Sequence, residues 1–219
     1  MPKIYTGLEL ISVHIPKAAG TSFRKLLEEQ YQQDLECFYG GDKTLALWKE
    51  GDLELTRNSI RVVHGHFRAS RKLLQQCPNA KLITWIRHPV DRLISYYYFW
   101  ESLAPHGNPC HDQFLKDRPG LVEFSQQEYM KGEWAAYFGD VPMNLFDYIG
   151  LVESYDEGIE YLAQMLGWGA FQVKTENRNA SKPDISHGER LELEKSLAED
   201  IEMYESWASY SRKRFTLTS

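Results

Sequence analysis

Cysteine is scarce in this 219-residue chain, with Cys37, Cys77 and Cys110 forming an odd and irregularly spaced set. They make no CxxC pair, which argues against a disulfide framework and fits a reducing compartment. No apolar run is long enough to span a bilayer, and the first apolar strand begins within ten residues of Met1, leaving no room for a secretory leader. The expectation is a cytoplasmic protein without a membrane anchor. Positive charge is not in excess: 25 Lys and Arg stand against 31 Asp and Glu, a net charge of −6. That balance argues against nucleic acid as a partner and counts against a strongly anionic polymer as a substrate. Internal repeats and low-complexity tracts are absent as well.

What remains is ordinary globular composition, 42% hydrophobic and 26% charged, in a chain sized for one domain over residues 1–219. The 13 Tyr, 10 Phe and 6 Trp supply packing surface and stacking partners for a flat ligand.

The most informative stretch runs from Leu10 to Phe23. An apolar strand (near 9–15) enters a short loop, Pro16-Lys17-Ala18-Ala19-Gly20-Thr21-Ser22, and a helix follows near 21–31 with Phe23, Leu26, Leu27 and Tyr31 on one face. Such a strand–loop–helix aims backbone N–H groups and a helix N-terminus at one point, which suits a phosphate-like anion. Lys17 adds a mobile charge, and Thr21 and Ser22 add hydroxyls. A nucleotide-triphosphate P-loop would place its Lys directly before the hydroxyl residue. Here Lys17 comes four residues before Thr21, so a P-loop phosphotransferase is the second reading, and a silent nucleotide-binding module the third.

A second strand (near 81–87) ends in Arg87-His88-Pro89, and Pro89 suits the first turn of a helix near 89–101. Arg87 thereby sits at a strand's carboxyl end, where open α/β sheets bind ligands, with Ser95 about two turns along. A third, short β run near 60–64 leads into His64-Gly65-His66. No neighbouring Cys, His or Asp set completes a metal site there. A general base with a pKa near 6.5 is the sharper reading, and period-two alternation puts both histidines on the cleft face.

Further strand and helix signals lie near 146–152, 69–76, 155–166 and 189–210. Ser154 and Glu157 make a capping box, Gly167 is a helix stop, and Leu193, Leu197, Ile201, Tyr204 and Ala208 form one stripe. Residues 102–120, rich in Pro and Gly, read as a loop; with 121–143 they are assigned to acceptor binding or a lid. The polar stretch 174–183 reads as a second loop.

Together these segments resemble sulfotransferases that use 3′-phosphoadenosine 5′-phosphosulfate (PAPS). The runs Ile86-Arg87-His88-Pro89 and Ser95-Tyr96-Tyr97-Tyr98-Phe99, with His64-Gly65-His66, are most similar to the heparan sulfate/uronosyl 2-O-sulfotransferase branch. The resemblance is close over residues 10–100 and weak beyond. It implies a three-layer α/β fold with a mainly parallel sheet and helices on both faces. It implies sulfuryl transfer from PAPS to an acceptor hydroxyl, a saccharide or another alcohol, leaving 3′,5′-adenosine bisphosphate (PAP), with no metal. Lys17 corresponds to the phosphosulfate lysine within the loop Lys17, Ala18, Ala19, Gly20, Thr21 and Ser22. Arg87 and Ser95 correspond to the 3′-phosphate pair, His66 to the catalytic base, and His64 to its neighbour. In the family a late basic loop closes over the nucleotide, and Arg178 and Lys182 are the candidates for it here, with an exposed linker as the other reading of that stretch.

Overall fold

The computed structural model describes residues 3–139, 141–169 and 185–215. Five strands form one sheet in the order β2-β3-β1-β4-β5: β1 (Leu10–His14), β2 (Leu35–Phe38), β3 (Val62–Gly65), β4 (Lys81–Ile86) and β5 (Tyr148–Leu151). Every pairing is parallel. The sheet is therefore all parallel where a mainly parallel one was expected. Parallel strands need cover on both faces, and β1, β3 and β5 are buried along their whole length.

Between β1 and β2 runs α1 (Gly20–Tyr31), whose buried Phe23, Leu26, Leu27 and Tyr31 are the face read from the sequence. Its companion α2 (Gly41–Glu50) follows β2. Neither β2 nor α2 is evident in the sequence pattern: β2 is a half-buried edge strand of four residues, and α2 buries only Thr44 and Leu47. Helix α3 (Arg71–Gln76) is capped by the Ser70 side chain, which accepts from Leu73 N–H at 3.1 Å. Helix α4 (Pro89–Ser102) begins with Pro89 in its first turn, as expected.

The stretch read as a loop, 102–120, contains α5 (Pro109–Asp117). Asn108 caps it by accepting from Cys110 and His111 N–H groups at 2.9 and 3.2 Å, and Pro109 opens it. Helices α6 (Leu121–Ser125) and α7 (Glu133–Phe138) follow. After β5, a 3-10 turn over Val152–Ser154 runs directly into α8 (Tyr155–Leu166), which ends at left-handed Gly167. The expected Ser154 box does not form; Ser154 makes no side-chain cap because the preceding turn already leads the backbone into the helix. The box forms instead at Ser186 and Glu189, opening α9 (His187–Ser196). The single last helix expected near 189–210 is two, α9 and α10 (Ala198–Arg214), divided at Leu197. Their stripe still packs: Leu193 and Leu197 join an apolar cluster with α4, α5 and α6, while Tyr204 and Ala208 join the sheet core.

The strand order reverses between β1 and β4. Chain segments leaving the two strands diverge there, opening a crevice at the carboxyl edge of the sheet. No described helix is long and apolar enough to cross a membrane.

Candidate active site

A cleft of about 1000 Å³ opens over the carboxyl ends of the strands. Its floor is the loop between β1 and α1. Lys17 and Ala19 both take left-handed backbone conformations, φ 67° and 58°, which cost energy in non-glycine residues. This sharp turning exposes the start of α1 to the cleft, and Lys17, Ala19, Gly20, Thr21 and Ser22 line it. Ala18 is fully buried beneath them. Arg87, just past β4, donates from Nη1 to the Lys17 carbonyl at 3.3 Å and so ties the two diverging segments together.

Lys17 and Arg87 concentrate positive charge in a half-buried place. Burial, and then the neighbouring Arg87, push the Lys17 ammonium below its ordinary pKa. Burial likewise pushes Arg87 down, against the pull of Asp91 and Glu153. Asp91 is itself engaged by Arg190 at 3.2 Å, across to α9. Two adjacent cations that are partly desolvated favour a bound anion. The Lys17 Nζ rests over the Phe99 ring, 4.0 Å from its centroid. Ser95, one turn before Phe99 on α4, also lines the cleft. Of the aromatic run on α4, Tyr96, Phe99 and Trp100 face the cleft, while Tyr97 packs against Phe114 and Phe124.

The histidines divide differently from the expectation. His66 lines the cleft, and its Nε2 is buried without a hydrogen-bond partner among the described residues. His64 is buried behind it at 1% exposure. Both of its ring nitrogens are engaged, Nδ1 with Ser12 Oγ at 2.8 Å and Nε2 with the Tyr39 hydroxyl at 2.6 Å. His64 therefore does not line the cleft. The strand ends at Gly65, so the alternation that would have put both histidines on one surface stops between them. Gly65 is required there, since a Cβ would stand 2.1 Å from the Phe38 carbonyl oxygen.

A third imidazole, His14 at the end of β1, completes the group. The register pairs Ser12 with His64 and Val13 with Gly65, which brings His14 level with His66. Its ring centroid lies 4.9 Å from that of His66 and 5.4 Å from that of His64. Sequence reasoning missed it because only the β1–β3 pairing reveals the proximity. The ring also explains Gly20, where a Cβ would fall 1.8 Å from His14 Nε2. Burial lowers all three pKa values. His66 is held at about 4 and His64 at about 3, where repulsion from His66 and Arg24 adds to burial. His14 also lies well below its ordinary value, through burial and then repulsion from His64, His66, Lys17 and Arg24. The expected base titrating near 6.5 is thus corrected: desolvation keeps this histidine neutral into mild acid. The described residues hold no group of three or more His, Cys, Asp and Glu arranged to bind a metal.

The 102–143 region contributes His106, Asn108 and Tyr137 to the cleft wall. Arg178 and Lys182 lie outside the described residues.

Comparison with known proteins gives a family. The model described as the sulfotransferase family matches residues 6–207. Among solved structures, a sulfotransferase from Alicyclobacillus acidocaldarius is similar at 15% identity and a TM-score of 0.50, over 91% of this chain and 94% of that one. Mouse sulfotransferase SULT7A1, complexed with PAP, is similar at 13% identity and a TM-score of 0.48, over 96% and 86%. No curated protein matches the sequence.

Proposed function

This chain belongs to the sulfotransferase family, and we propose that it transfers the sulfuryl group of PAPS to an acceptor hydroxyl. The observation that carries the reading is the meeting of the Lys17 loop and Arg87 at the strand-order reversal, with His66 on the wall of the same cleft. PAPS supplies an activated sulfuryl group and a stable leaving group. Lys17 and the loop amides hold the 5′-phosphosulfate and stabilise the charge that grows there. Arg87 and Ser95 hold the 3′-phosphate, for which a planar, bidentate guanidinium is suited. His66, neutral and with a free nitrogen, accepts the proton of the acceptor hydroxyl. His64 orders the wall through Ser12 and Tyr39. The role of His66 rests on the likeness of His64-Gly65-His66 to the heparan sulfate/uronosyl 2-O-sulfotransferase branch, and that likeness does not carry the acceptor with it.

Calorimetry with PAP and with ADP tests the reading. PAP should bind roughly 10- to 150-fold more tightly, the worth of a charge-assisted contact of about 1.5–3 kcal/mol, and Arg87→Ala should remove most of the preference. Equal affinities, or a preference for ATP with Mg²⁺, overturn it.

A further inference from the structure

Sulfuryl transfer runs in line, so the leaving oxygen, the sulfur and the acceptor oxygen share one axis. With the phosphosulfate on the Lys17 loop and the acceptor hydroxyl at His66 Nε2, the sulfur crosses the gap between the loop and the His66 ring. One side chain without an assigned role borders both ends of that gap, His14.

His14 closes β1, where the strand turns into the anion loop, and it lines the cleft at 8% exposure. The ring edge carrying Nε2 and Cε1 lies against Gly20, the first residue of α1: a Cβ there would fall 1.8 Å from Nε2 and 2.0 Å from Cε1. The same ring stands 4.9 Å from that of His66, centroid to centroid. It stacks on His64 at 5.4 Å with the planes 25° apart, and it meets the Tyr39 ring edge-on at 6.1 Å. His64 and Tyr39 are in turn joined by their own hydrogen bond. Three rings and a helix start leave His14 little freedom to turn, and a fixed donor is what a transferring group with developing charge needs.

Packing alone accounts poorly for this ring. A leucine would fill a strand end without the cost of burying two polar nitrogens. An alanine at position 20 would support α1 better than glycine does, and the His14 ring forbids it. Burial and the neighbouring imidazoles keep His14 neutral, so it carries one N–H to donate.

We infer that His14 is a further catalytic residue, whose Nε2–H donates a hydrogen bond to a non-bridging oxygen of the sulfuryl group as that group crosses from the loop to the acceptor. This rests on the sulfotransferase reading above. In the step, the acceptor oxygen bonds to sulfur as the bond from sulfur to the 5′-phosphate oxygen breaks. That oxygen leaves on PAP, and the hydroxyl proton passes to His66 Nε2. His14 gives up no proton. Its contact exists only while the sulfuryl group is present, so it distinguishes PAPS from PAP.

Calorimetry with PAPS and with PAP, in the absence of any acceptor, compares the unaltered protein with His14→Leu and His14→Gln. His14→Leu should weaken PAPS binding about tenfold or more, the worth of a hydrogen bond to a charged group, and leave the PAP Kd within about twofold. His14→Gln, which restores an N–H, should hold the PAPS Kd within about threefold of the unaltered protein. His14→Ala takes the place of the leucine variant if that one does not fold. A merely structural role would weaken both ligands alike. That result overturns the inference, as does unchanged PAPS affinity in a folded variant without a donor, or a glutamine variant no better than leucine. Failure of the unaltered protein to bind either nucleotide overturns the sulfotransferase reading, and the inference with it.

Discussion

Acid should weaken this fold earlier than its carboxylates would. His14, His64 and His66 are packed together, and all three have pKa values depressed in the folded state by burial. A depressed histidine is neutral in the native protein but takes up a proton near pH 6.5 once unfolded. Its contribution to stability is complete above 6.5 and is lost as pH falls from 6.5 towards the folded value, about 4 for His66 and about 3 for His64. At pH 5.5, one unit below the unfolded pKa, His64 and His66 each cost about 1.4 kcal/mol relative to their fully neutral state. Those two together cost up to about 3 kcal/mol, an upper figure because His66 is partly exposed to solvent, and His14 adds in the same direction. Against a typical stability of about 5–15 kcal/mol, that is a large fraction. Urea denaturation at pH 7.5 and pH 5.5, read by tryptophan fluorescence, measures it. The midpoint should fall sharply at pH 5.5, and a His14→Asn variant should lose part of the pH dependence. Equal midpoints at the two pH values would show that the three imidazoles are not buried as neutral groups, and the site geometry would fall with them.

Three further outcomes follow from single positions. Lys17→Ala should lower turnover roughly 10²- to 10³-fold with little change in the urea midpoint, because the side chain ends in the cleft over Phe99 and leaves no core cavity; full turnover in the folded variant would refute its role. His66→Ala should lose roughly 10²- to 10⁴-fold in turnover with PAP affinity kept, whereas His64→Ala should act first on stability, costing about 2–4 kcal/mol through a cavity and two lost hydrogen bonds; the reverse pattern would exchange their roles. Gly65→Ala should destabilise by about 3 kcal/mol or more, since the atom in its way is the Phe38 backbone carbonyl and cannot swing aside; an unchanged melting temperature would contradict the β2–β3 packing.

The fold was legible where the chain is buried and periodic. Strands β1, β3, β4 and β5 read from their apolar runs, and α1, α4 and α8 from their spacing and ends. The misses have local causes. Strand β2 is short and lies at the sheet edge, so its sequence Leu35-Glu36-Cys37-Phe38 carries no continuous apolar signal. Helix α5 was hidden by Pro105, Gly107 and Pro109, which read as loop punctuation. Yet Asn108-Pro109 is a cap followed by a first-turn proline, the signature of a helix start. The division at Leu197 left no breaker residue to find, because the apolar stripe continues across it.

The site was legible to the extent that it depends on strand ends. Lys17 and Arg87 each follow an apolar strand directly, so their placement at the carboxyl edge could be argued from position alone. That they touch through the Lys17 carbonyl required knowing that β1 and β4 are neighbours. The histidine group shows the same dependence more sharply. Spacing within one segment suggested that His64 and His66 act side by side, but the Gly65 backbone and the engaged ring nitrogens of His64 separate a buried orienting residue from a cleft-facing one. The imidazole nearest His66 is His14, 52 residues away in sequence and level with it only because β1 and β3 pair in parallel. Gly20, read from the sequence as part of an anion loop, has a further reason to be glycine: it leaves room for the His14 ring. The anion loop and the histidine group thus share an atom-level boundary. A change that enlarges residue 20 should therefore disturb the acceptor side of the cleft as well as the nucleotide side.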